Sequence, residues 1–177
     1  TLIKAYTKTK NLEKVLEIFN KMKSNSNNLP NNITYNSVID CCLKSNEFGL
    51  ADKFFIEMCK SQTIEPDIIT FSTLIKGTLR NMNFDKAMDY FEKMLKMKIK
   101  PDDVFLNSLL DGCEKLKQFE KAIYIFKTIK SLGAEPTMMS YSIMMKTLGK
   151  LNNFEYSKSL MEEVKSKNQN LSLIIFT

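Results

Sequence analysis

The sequence contains no histidine and no tryptophan, and Arg80 is the only arginine among 26 basic residues. Without an imidazole, histidine-based acid–base or nucleophilic chemistry and mixed Cys/His zinc sites have no residues to use in this segment. Glycine is also scarce, with 5 in 177 residues and no cluster that could form a phosphate-cradling loop. Four cysteines occur, Cys41, Cys42, Cys59 and Cys113, and none forms a C-x-x-C pair. Small buried thiols in a reducing compartment are therefore expected, rather than a metal site or disulfides. No apolar run approaches the roughly 18 residues needed to span a bilayer, so no membrane partner is expected. No cofactor, metal or catalytic set is legible. The acids, such as Glu162 and Glu163, read as solvated charges on helical faces. What remains is a chain 44% hydrophobic, enough for a substantial core, with a formal charge of +6 and pI near 9.0. That balance suits a polyanionic partner.

Only four prolines occur, and all share one register: Pro30, Pro66, Pro101 and Pro136, separated by 36, 35 and 35 residues. Similar phrases follow each of them, as in P-N-N-I-T-Y-N-S-V-I after Pro30 and P-D-I-I-T-F-S-T-L-I after Pro66. Phe48, Phe84, Phe119 and Phe154 hold the same register independently, each twelve residues after Asn36, Ser72, Asn107 and Ser142. Leu12 takes that place in the first unit. Two markers in step over the chain identify tandem repeats. Within a unit the apolar spacing is helical: Phe71, Leu74 and Ile75, then Phe84, Ala87, Met88, Phe91 and Met94. The polar stretch Arg80-Asn81-Met82-Asn83 divides the two helices, and proline punctuates the passage to the next unit. Small residues recur in the second helix at Ala51, Ala87, Ala122 and Ser157, with Val15 in the first unit, where close helix approach is expected.

The expected fold is therefore all-α, a right-handed α-solenoid of tandem helix-turn-helix repeats with a period of 35–36. One helix pair cannot bury its own apolar stripe, so neighbours must share a core. The expected division is a partial repeat at 1–31, whole repeats at 32–67, 68–102, 103–137 and 138–172, and the start of another at 173–177. No polar capping helix is evident at either end, and the chain lacks an initiator Met. It is expected to be an internal segment of a longer array.

Two repeat families have units of about this length. The tetratricopeptide repeat has 34 residues and a Trp- and Leu-Gly-marked first helix, features missing here. Ile33–Asp40 (I-T-Y-N-S-V-I-D) and Ile69–Lys76 (I-T-F-S-T-L-I-K) instead resemble the opening of a pentatricopeptide repeat of the P type. Ala87–Met94 (A-M-D-Y-F-E-K-M) and the Lys100-Pro101-Asp102 ending resemble its second helix and close. The resemblance is specific in the second and third units and looser, though in register, in the fourth and fifth.

That resemblance implies a binder of single-stranded RNA, with first helices lining a concave face and each repeat meeting one base. It implies base choice by a polar residue early in the first helix, paired with the residue after the unit's closing proline. Asn36 with Asp67 should prefer U, and Ser72 with Asp102 should prefer G. Asn107 with Thr137 departs from the common pairs and should take a pyrimidine. Ser142 with Ser172 departs further and should discriminate weakly. Asn31 and Thr177 are half-pairs. The implied footprint is 5′-U-G-pyrimidine-N-3′. Helix N-capping is the competing role for these side chains. Ile33, Ile69, Val104, Met139 and Ile174, three residues before each first-helix code position, are implied to sandwich the bases. Ordinary core packing is the competing role there.

A basic column needs no family knowledge: Lys8, Lys44, Arg80, Lys115 and Lys150 recur near the end of each first helix. Repeated at the unit spacing, they suit evenly spaced phosphates. Favourable interaction with the helix dipole is the other explanation, and both can operate. The implied setting is transcript processing, stability or translation in a mitochondrion, with the plastid as alternative. The alternative function is a scaffold subunit of an organellar ribosome or other complex, contacting ribosomal or other organellar proteins without base-specific readout. A catalytic domain elsewhere in the protein is compatible with either.

Overall fold

The structure, a computed structural model, describes residues 2–25 and 28–167. Among these residues the secondary structure is entirely helical, ten α-helices arranged as five hairpins. Hairpin 1 pairs α1 (Leu2–Lys8) with α2 (Leu12–Lys23), and hairpin 2 pairs α3 (Asn32–Lys44) with α4 (Phe48–Lys60). Hairpin 3 pairs α5 (Ile68–Arg80) with α6 (Phe84–Lys96). Hairpin 4 pairs α7 (Asp103–Lys115) with α8 (Phe119–Ser131), and hairpin 5 pairs α9 (Met138–Lys150) with α10 (Phe154–Lys167). The chain divides into two compact units, Thr1–Ile99 and Lys100–Thr177.

The sequence landmarks are helix boundaries. Leu12 and the four register phenylalanines each open a second helix, and the five column cations each close a first helix. Each proline is buried one residue before the N-cap of the next first helix: Asn31, Asp67, Asp102 or Thr137. Here proline's missing N–H costs nothing and its fixed φ sets the entry of the chain. Every hairpin turn contains a non-glycine residue in the left-handed region: Lys10, Asn46, Met82, Lys117 and Asn152, with φ between 52° and 61°. The next residue then donates its N–H back across the turn, as in Glu47 to Cys42 at 2.8 Å and Asn83 to Thr78 at 3.0 Å. This Schellman-type closure satisfies carbonyls that the helix end would leave open.

In the first unit α1 packs on α3 and α3 on α5. Their shared core is built from edge-to-face rings, Phe19 against Tyr35 and Phe54, and Phe55 against Phe71 and Tyr90. Val15, Ala51 and Ala87 are fully buried, as expected for close helix contacts. Gly77 marks another close approach: a Cβ there would collide with Leu43 Cδ1 and lie 2.8 Å from its Cβ. In the second unit α7 packs on α9, and Phe126 meets Tyr141 edge-on. Ala122 is fully buried, whereas Ser157 is half-buried. Cys41, Cys42 and Cys113 are buried thiols, and burial pushes those of Cys42 and Cys113 up to about 12. Cys59 corrects the expectation of buried cysteines, since it is exposed near the end of α4. No helix among the described residues is long and apolar enough to cross a membrane.

Candidate nucleic-acid interface

In hairpins 2 to 5 the singled-out residues occupy identical helical positions. Ile33, Ile69, Val104 and Met139 are second in their helices, and Asn36, Ser72, Asn107 and Ser142 are fifth. Lys44, Arg80, Lys115 and Lys150 are thirteenth. At about 100° per residue, positions two, five, nine and thirteen fall within about 80° of arc, so each helix presents them on one face. Ser172, Ile174 and Thr177 lie outside the described residues.

Four apolar side chains on that face are not core. Ile33, Ile69, Val104 and Met139 are 64%, 61%, 58% and 62% exposed. Core packing therefore does not explain their recurrence. Three residues on, the polar side chains are more recessed: Asn36 is 9% exposed, and Ser72, Asn107 and Ser142 are half-buried. None of these four is an N-cap. The N-caps are instead the partners Asp67, Asp102 and Thr137, together with the half-pair Asn31, and capping occupies part of each one. Asp67 accepts from the Thr70 N–H at 2.8 Å, Asp102 from the Phe105 N–H at 2.6 Å, and Asn31 from the Thr34 N–H at 3.0 Å. Thr137 sits in a capping arrangement with Ser140, whose Oγ accepts from the Thr137 N–H at 3.2 Å.

Two code pairs are brought together, with different leftovers. Partial burial pushes the Asp67 carboxyl up, but hydrogen bonds from the Thr70 backbone and hydroxyl and from Asn32 and Asn36 outweigh it. The net effect holds the carboxyl below its ordinary range. A carboxylate can only accept, so what Asn36 offers Asp67 is its NH₂, and its Oδ1 is buried without a hydrogen-bond partner. In hairpin 4 the Asn107 amide donates to Thr137 Oγ1 at 3.2 Å, and its Oδ1 accepts from the Ser140 hydroxyl at 2.6 Å. The Thr137 N–H fills a lone pair of Ser140 Oγ, so the hydroxyl hydrogen is free to point at Asn107. Asn36 thus keeps an acceptor unused, and Asn107 keeps one N–H.

The basic column is not uniform. Lys44 donates to Asp40 and Lys115 to Asp111, both at 2.6 Å and both one turn apart on the same helix. Ser140, Asp40 and Asp111 were absent from the sequence-derived set. The two acid–lysine pairs carry a visible signal, an aspartate four residues before a lysine. The Ser140 lock lies 33 residues from Asn107 and needs the fold to appear. Among the described residues no group of His, Cys, Asp or Glu could hold a metal ion.

Comparison with known proteins places the same pattern elsewhere. A model of the PPR repeat family matches residues 1–42, 30–80, 66–113 and 101–150, and a PPR repeat model matches residues 139–169. Over 100 residues the chain is 32% identical to the mitochondrial 15S rRNA processing factor CCM1 of Debaryomyces hansenii, covering 55% of this chain and 13% of that protein. Over 93 residues it is 26% identical to the small ribosomal subunit protein mS79 (rPPR3b) of Arabidopsis thaliana, covering 52% of this chain and 23% of that one. The crystal structure of the pentatricopeptide repeat protein PPR10 from maize superposes with a TM-score of 0.74 at 26% identity, over 93% of this chain and 23% of PPR10. PPR10 in complex with an 18-nt psaJ RNA element superposes with a TM-score of 0.66 at 24% identity, over 88% of this chain and 23% of that one.

Proposed function

The chain belongs to the PPR repeat family, and from that premise we propose that it binds single-stranded RNA sequence-selectively, one base to each hairpin. The observation that carries this reading is that Ile33, Ile69, Val104 and Met139, each second in its helix, are apolar yet exposed. In hairpins 2 to 5 the second helical residue is apolar yet open, and a polar side chain lies three residues on, on the same face. A base needs both contacts: an apolar surface for its flat face and a polar group for its edge. Complexes such as PPR10 with its psaJ RNA element are consistent with that use.

Each code pair has its assignment. Asn36 with Asp67 takes U: the orphaned Oδ1 is an acceptor for the uracil N3–H, reached once the amide swings out from its recessed seat. Ser72 with Asp102 takes G. Asn107 with Thr137 takes a pyrimidine. Because its unused group is a donor, cytosine, whose N3 accepts, is the better fit of the two. Ser142 with Ser172 discriminates weakly. Read with the N-terminus toward the 5′ end, the footprint is 5′-U-G-C-N-3′ within the broader 5′-U-G-pyrimidine-N-3′. Selecting RNA from a random pool with the full-length protein tests it. Enrichment of U-G followed by a pyrimidine in this register supports the reading, and a pool that stays random at those places defeats it.

This chain spans 13% of CCM1, and its setting is proposed to match that relative's: RNA processing in the mitochondrion. We assign no reaction to this segment. The similarity to mS79 supports a second reading, a ribosomal scaffold subunit. In that case short synthetic RNAs carrying U and G at the predicted places would bind no better than scrambled ones.

A further inference from the structure

The basic column acquires a second meaning when the ninth helical position is set beside the thirteenth. The neighbours one turn before Lys8, Lys44, Arg80, Lys115 and Lys150 are Lys4, Asp40, Lys76, Asp111 and Lys146. The sign alternates from hairpin to hairpin, five times out of five. Hairpins 2 and 4 carry closed ion pairs, Lys44–Asp40 and Lys115–Asp111, each at 2.6 Å and each of zero net charge. Hairpins 1, 3 and 5 carry two cations one turn apart, and all six of those side chains are exposed. Among the described residues none of the six forms an ion pair with a carboxylate.

We propose that RNA backbone is gripped at alternate hairpins only: Lys4 with Lys8, Lys76 with Arg80, and Lys146 with Lys150 each hold a phosphate, while hairpins 2 and 4 hold none. The inference rests on the RNA-binding reading above and specifies how the strand's backbone is met. Like charges at i,i+4 repel and weaken a free helix, and a phosphate between them turns that repulsion into attraction. In hairpins 2 and 4 a phosphate would have to pull Lys44 or Lys115 from an aspartate and then lie beside that bare carboxylate. One base per hairpin brings one phosphate per hairpin, so the backbone is held with a period of two nucleotides. Bases are still met at every hairpin.

The test compares salt dependences in the full-length protein, using a short unstructured RNA that carries the 5′-U-G-C-N-3′ motif. Each phosphate neutralised adds about 0.7 to the slope of log K against log salt for a single strand. Lys76→Ala with Arg80→Ala should flatten the slope by about 0.7 and weaken all sequences alike. Lys44→Ala with Lys115→Ala should leave the slope unchanged. Asp40→Asn with Asp111→Asn frees both lysines and should steepen it, by about 1.4 if both then meet phosphate. Circular dichroism confirms that each variant keeps its helices. Equal flattening by the two lysine-removal variants overturns alternate gripping while leaving RNA binding intact, and so does an unchanged slope in the double aspartate variant. Absence of RNA binding by the parent protein overturns both readings.

Discussion

At the scale of the residue, exposure decides between roles that composition leaves open. Ile69 is 61% exposed, so trimming it removes little buried surface. Ile69→Ala should leave the unfolding free energy, measured by urea denaturation, within about 0.5 kcal/mol of the parent. It should weaken RNA binding several-fold, since an aliphatic face contributes somewhat less than the ~1–3 kcal/mol of aromatic stacking. The reverse pattern, lost stability with unchanged affinity, would return Ile69 to the core. Ser140→Ala tests the amide lock at hairpin 4. Without that hydroxyl, Asn107 can present its Oδ1, and the third base should drift from C toward U by about two- to tenfold. An unmoved C-to-U ratio would show that Ser140 serves only the cap of α9. The candidate site was partly legible in the sequence. Register alone located the basic column, because a repeat prints the same side chain at the same place, whereas the base-choosing and base-sandwiching positions were implied only by the resemblance to the pentatricopeptide repeat. Register does not say whether a donor or an acceptor is left over. That depends on Asp67 facing Asn36 while Ser140 and Thr137 face Asn107.

At the scale of the element, proline and phenylalanine marked the start of eight of the ten described helices, because each sits where the backbone leaves one geometry for another. The hairpin turns were harder to read. Left-handed residues are usually glycine or asparagine, yet here Lys10, Met82 and Lys117 take that conformation. The return hydrogen bonds across the turn hold them there. One tight contact was also hidden. Sequence pattern drew attention to alanines in the second helices, whereas a tight contact between first helices occurs at Gly77. Gly77→Ala would push a methyl into the Leu43 side chain, whose Cβ is too near to swing aside. It should lower stability by about 1–3 kcal/mol, measured by urea denaturation. An unchanged midpoint for Gly77→Ala would mean that α3 and α5 sit farther apart than described.

At the scale of the whole molecule, the governing idea is that a hairpin is an interchangeable reader. Excising residues 68–102 removes one reader without breaking register. Asp67 would then cap α7 in place of Asp102, a like-for-like exchange, and Asn36 would keep Asp67 as its partner. The new neighbours are compatible. Gly77 and Gly112 are both the tenth residue of their helices, so Leu43 would again face a glycine. Nearest-neighbour stacking predicts that the shortened chain stays helical and unfolds cooperatively. Its selected RNA should lose one base, the G assigned to Ser72 and Asp102, becoming 5′-U-pyrimidine-N-3′. The deletion also brings two ion-paired hairpins together, since Asp40–Lys44 would be followed by Asp111–Lys115. Removing the Lys76–Arg80 grip should flatten the salt slope by about 0.7 as well. Loss of the G with an unchanged slope would uphold modular reading and reject the two-nucleotide backbone grip. Loss of all preference in a helical chain would reject modular reading itself.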